Sequence, residues 1–69
     1  MEEIKIKDEF IKLGQVFKLS GMTDSGVEAK IVIQNGDVTV NGEVCLERGK
    51  KIRNGDVIRY KDKEIKVLA

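Results

Sequence analysis

The chain has 69 residues, 36% of them charged and 41% hydrophobic, with a formal net charge of +1; a chain this short is expected to form one domain that buries only about 60% of its unfolded surface, with no room for a large catalytic cleft. It contains no histidine and a single cysteine, which excludes imidazole acid–base chemistry, the usual zinc sites and an internal disulfide. The charge is lopsided: residues 1–43 hold five lysines against eight acidic residues, net −3, whereas residues 44–69 hold eight basic against four acidic, net +4, as suits one positive face on a nearly neutral body that attracts a polyanion.

Residues 1–7 alternate Ile4 and Ile6 with lysines and read as a short edge strand with one buried face, where outward-pointing Lys5 and Lys7 discourage strand-to-strand aggregation. No apolar run approaches the ~20 residues of a membrane-spanning helix. The N-terminal Met-Glu-Glu-Ile lacks the pattern of a signal peptide, so the chain is expected to be cytoplasmic. A first helix follows. Its start is open between Asp8 as a cap and an extended chain to Ile11 with the helix beginning at Lys12 or Leu13; its end is set by Gly21. Leu13, Val16 and Phe17 fall on one face and form the buried stripe, while Lys12, Gln15 and Lys18 recur at three-residue spacing on the other, either as ligand contacts or as a solvated stripe.

Residues 21–24 make a connection short enough to press the next helix against the first. Ser25 and Glu28 have the spacing of a capping box that starts this second helix. Ala29, Val32 and Ile33 should form its buried ridge, with Lys30 and Gln34 on the other side; Val27 and Ile31 either pack under the C-terminal segment or form a contact patch. Asn35-Gly36 supplies a left-handed stop, Val38-Thr39-Val40 alternates with period two, and Asn41-Gly42 is a strong hairpin signal that returns residues 43–46 antiparallel.

Cys45 reads as a small packing residue, because no imidazole exists to activate it. A basic loop then carries Arg48, Lys50, Lys51 and Arg53 within six residues, either a solvated run or part of a binding face shared with the helix lysines. Residues 54–56 form a turn, 57–60 a strand of edge or rim composition, and 64–68 a last strand that covers the sheet. Tyr60 offers a ring for base stacking, but aromatics are 4% of the chain and the aromatic–basic interleaving of strand-binding sheets is absent.

The run Ser25-x-x-Glu28-Ala29-Lys30-x-x-Ile33-Gln34-x-Gly36-x-Val38-x-Val40-Asn41-Gly42 resembles the core of the S-four-like RNA-binding domain, a small module named after a ribosomal protein. Residues 12–18 resemble the first helix of its short, free-standing bacterial members, the YbcJ/YaaA type. Residues 47–52 and 55–58 resemble their basic loop and closing strand, so the similarity spans roughly residues 10–60. The resemblance implies an α+β fold with two short helices in an L shape on a small, mainly antiparallel sheet, the alpha-L motif, as one domain over residues 1–69. It implies RNA as partner, ribosomal or transfer RNA first, contacted by Lys12, Gln15, Lys18, Lys30, Gln34, Arg48, Lys50, Lys51 and Arg53, with no cofactor, metal, small-molecule substrate or membrane. The family commonly has basic residues on the outer face of the second helix; Lys30 keeps one such position, whereas Gly26 and Ile31 depart from it, which lowers the expected affinity.

Two other classes are weighed beside this one. No Walker-type or Rossmann glycine pattern, Gly-x-Ser-x-Gly or pair of carboxylates in an apolar setting is present, so no enzymatic activity is expected. The Asn41-Gly42 and Asn54-Gly55-Asp56 turns also resemble those of β-grasp sulfur carriers, but these act through a C-terminal Gly-Gly, whereas this sequence ends Lys66-Val67-Leu68-Ala69 and places two helices before most strands. A protein-interaction adaptor would instead use Val27, Ile31 and the acidic N-terminal half.

Overall fold

A computed structural model describes all 69 residues, Met1–Ala69. In chain order the elements are β1 (Glu2–Lys5), β2 (Phe10–Lys12), α1 (Leu13–Ser20), α2 (Gly26–Gln34), β3 (Val38–Val40), β4 (Glu43–Val44), β5 (Lys51–Arg53), β6 (Val57–Tyr60) and β7 (Lys63–Leu68). The first helix thus takes the later of its two expected starts. Lys12 is extended and its N–H donates to Gln15 Oε1 at 3.2 Å, so the chain turns helical only at Leu13, and Gly21 in the left-handed region (φ 70°) ends it.

Local signals set the second helix and the hairpin as expected. Ser25 Oγ accepts from Glu28 N–H at 3.2 Å, although only this serine half of the capping box is made. At the other end Gly36 N–H donates to Ile33 O at 3.1 Å and Asp37 N–H to Val32 O at 3.2 Å, the paired bonds of a Schellman motif. Asn41 (φ 53°) and Gly42 (φ 86°) are both left-handed, as a two-residue turn matching the strand twist requires.

Five strands form one sheet in the order β1-β7-β6-β3-β4, antiparallel at every pair except the parallel β1–β7 edge. Two expectations are corrected here. Strand β6 is central and not at an edge or rim, and β7 lies between β1 and β6 instead of covering the sheet. The reason is that Ile58 and Tyr60 point into the core while Arg59 faces solvent, so a polar outer face resembled an edge. The return strand β4 has only two residues, with Cys45 N–H extending the ladder to Val38 O at 3.0 Å.

The inner sheet face, with Val38, Val40, Ile58, Tyr60, Ile65 and Val67, packs against Leu13, Val16 and Phe17 of α1 and Ala29, Val32 and Ile33 of α2. The Phe17 and Tyr60 rings lie 5.6 Å apart, tilted by 56°, a favoured aromatic geometry. Tyr60 is therefore a core residue and no stacking platform. Cys45 joins the same core. Val27 and Ile31 are 70% and 52% exposed, so the alternative that packed them under the C-terminal segment is overturned. No helix is long and apolar enough to cross a membrane.

Candidate nucleic-acid interface

The basic segment is not a free loop. Its residues 51–53 form β5, which pairs antiparallel with β2 in a separate two-stranded ribbon: Phe10 opposite Arg53, Ile11 opposite Ile52, Lys12 opposite Lys51. Alternation then sorts the side chains. Ile11 and Ile52 are buried beneath the ribbon, leaving Phe10, Lys12, Lys51 and Arg53 on the outer face. Lys51 Nζ lies 4.9 Å and Arg53 Cζ 5.7 Å from the Phe10 ring centroid, both in cation–π range. Like charges directly opposite in a ladder cost stability, and the facing Lys12–Lys51 pair accepts that cost, an arrangement that an added polyanion relieves.

The ribbon is tied to α1 through the helix's own unpaired donors. Leu13 N–H donates to Lys50 O at 2.9 Å and Gly14 N–H to Arg48 O at 3.0 Å, so carbonyls of the basic segment satisfy N–H groups that a helix N-terminus leaves without intrahelical partners. This seats Arg48 against the first turn of α1. A Cβ on residue 14 would lie 2.6 Å from Arg48 Cγ and 3.1 Å from its Cδ; the absence of a side chain on Gly14 is what leaves room for this seat of the Arg48 side chain. At the far end of β5, Asp56 accepts from Arg53 N–H at 2.8 Å and from Asn41 Nδ2 at 2.9 Å, while Asn41 Oδ1 accepts from Val57 N–H at 2.9 Å. The ribbon is thereby pinned to the β3–β4 turn.

The fold thus gathers Lys12, Gln15, Arg48, Lys50, Lys51 and Arg53 about the start of α1, with Lys18 further along the same exposed side; all seven are exposed. Gln15 has a double role, since its carbonyl oxygen caps α1 while its amide NH2 stays free to donate to a ligand. Lys30 and Gln34 lie apart, on the outer face of α2 with Val27 and Ile31, and reach the rest only through the packing of α1 against α2. The residue missed in the sequence is Phe10. The signal was slight: Phe10-Ile11-Lys12 and Lys51-Ile52-Arg53 each hold one isoleucine beside cationic residues, a period-two pattern only three residues long. No group of three or more His, Cys, Asp or Glu residues stands close enough to hold a metal ion.

Comparison with known proteins agrees with this architecture. The S4 domain family matches residues 4–68. YbcJ of Escherichia coli K12 is 33% identical over 63 residues, covering 91% of this chain and 90% of its own. The "Probable ribosome maturation protein RlbA" of Bacillus subtilis is 42% identical over 55 residues, covering 80% of this chain and 78% of its own. The solution structure of E. coli YbcJ, described as having an alpha-L motif involved in RNA binding, superposes with a TM-score of 0.78 at 31% identity over all of this chain and 89% of that one. The 30S ribosomal protein S4e of Thermoplasma acidophilum superposes with a TM-score of 0.64 at 27% identity, over 84% of this chain and 31% of its own. The two helices on a mainly antiparallel sheet are those of the alpha-L fold, a binding domain and not a class of enzymes. The chain belongs to the S4 domain family.

Proposed function

We infer that this protein binds structured RNA, ribosomal or transfer RNA, through the basic ribbon and the first turns of α1, and that the whole chain acts as one S4 domain. The observation that carries the reading is the outer face of the β2–β5 ribbon, where Lys12 and Lys51 face one another and Arg53 follows on the same side. Lys12, Lys18, Arg48, Lys50, Lys51 and Arg53 meet phosphates and release counterions, while the Gln15 amide donates to sugar or base edges. Lys30 and Gln34 add a second, weaker point of contact from α2. Spaced cations on a rigid frame suit a folded RNA, whose backbone holds phosphates at fixed separations. The ribosome maturation named for the B. subtilis relative supports ribosomal RNA as the first candidate, and such a ligand fits a cytoplasmic protein.

Amide NMR shifts recorded while titrating a structured ribosomal or transfer RNA at two salt concentrations test this. Shifts at Lys12, Lys18 and residues 48–53 that fade at higher salt are expected. In the Lys50→Gln, Lys51→Gln double variant, the slope of log affinity against log salt should flatten by about 0.7–0.9 per lost contact without loss of fold. An unchanged slope would reduce the segment to a solvated face, and shifts confined to Val27 and Ile31, exposed four residues apart on α2, would favour a protein-adaptor role.

A further inference from the structure

Beside the ribbon, between α1 and the segment joining β1 to β2, runs a groove of about 500 Å³, within the ~300–1,000 Å³ of ligand-sized sites. Phe10 forms part of its wall with Ile6 and Leu19, and Lys5, Lys7 and Lys18 stand around it against a single acid, Asp8. Two features of it are otherwise unaccounted for. Leu19 is 65% exposed, an apolar side chain left in solvent beside the groove. Lys51 and Arg53 stand within cation–π range of the Phe10 ring, although neither lines the groove itself.

We propose that this groove receives one unpaired nucleotide of the bound RNA, its base stacked on Phe10 and its flanking phosphates met by Lys5, Lys7 and Lys18. The inference rests on the RNA-binding reading above and adds to it a site outside the basic segment. Apolar walls suit the faces of a base, and three lysines against one aspartate suit the phosphates on either side of it. Cations close to the ring draw electron density from it and favour its stacking with an electron-rich base. The Gln15 amide NH2, also at the groove, is a donor for a base nitrogen or carbonyl, its oxygen being held by Lys12 N–H. Lys5 and Lys7, which the sequence suggests are guards of an edge strand, here become ligand contacts.

Two RNA hairpins test the proposal, one fully paired in its stem and one identical but for a single bulged adenosine. Stacking of one base on an aromatic should make the bulged hairpin bind about 5- to 150-fold tighter. Phe10→Leu should bring the ratio of the two affinities close to one. Independently of any variant, 2-aminopurine in the bulge should change its fluorescence on binding the wild-type protein, because it exchanges neighbouring bases for Phe10. Equal wild-type affinities, an unchanged 2-aminopurine signal, or a ratio that survives Phe10→Leu would overturn the groove proposal while leaving RNA binding intact. Failure of both hairpins to bind at low salt would overturn the RNA reading and this inference with it.

Discussion

Replacing Gly14 with alanine separates the placement of a charge from the stability of the fold. The new Cβ would stand 2.6 Å from Arg48 Cγ and 3.1 Å from its Cδ, whereas carbon atoms in contact prefer about 3.5–4.0 Å. Arg48 cannot back away as a whole, because its carbonyl is bonded to Gly14 N–H at 3.0 Å and that of Lys50 to Leu13 N–H at 2.9 Å. The side chain must turn instead, carrying the guanidinium to a new position. Alanine gains up to about 1 kcal/mol of helix propensity over glycine, and a displaced rotamer costs about 0.5–1.5 kcal/mol. The two nearly cancel, so Tm should move by less than about 8 °C in a domain of this size. RNA binding, by contrast, should lose one phosphate contact and flatten its salt slope by about 0.7–0.9. Thermal melting and RNA titrations over a series of salt concentrations measure the two quantities separately. A variant with wild-type slope and affinity would refute the reasoning, since Arg48 would then contribute nothing from its seat on Gly14.

Lys12→Glu places opposite charges at the facing Lys12–Lys51 position, which should stabilise the ribbon by about 0.2–1 kcal/mol in chemical denaturation while RNA affinity falls; a variant that loses stability would show that the two lysines do not repel each other significantly. Ala29→Asp buries a carboxylate at a position 1% exposed between the helices and the sheet. With no partner there, the cost is about 3–5 kcal/mol, much of the total stability expected for such a chain. Circular dichroism should show a protein largely unfolded at room temperature, and a cooperative melt near the wild-type temperature would mean that the buried face of α2 is misassigned.

Much of this protein was determined by short stretches of sequence, because the signals concerned act within a few residues. The Ser25 cap, the Asn35-Gly36 stop and the Asn41-Gly42 turn each depend on hydrogen bonds or left-handed dihedrals that span no more than five positions, and the buried stripes of both helices follow from a 3.6-residue period. The family resemblance was legible for the same reason. Beyond that one hairpin, the tertiary structure alone decided what pairs with what. Ribbon strands of three residues carry almost no signal of their own, and β2 and β5 become strands only when Ile11 and Ile52 are buried together and α1 finds its missing acceptors at Arg48 and Lys50. Dividing the charge along the chain pointed to the C-terminal half, yet the ribbon sets Phe10 and Lys12 of the N-terminal half opposite Arg53 and Lys51 of the C-terminal half. Register between segments far apart in the chain converts scattered residues into one face, and no local window of sequence contains that register.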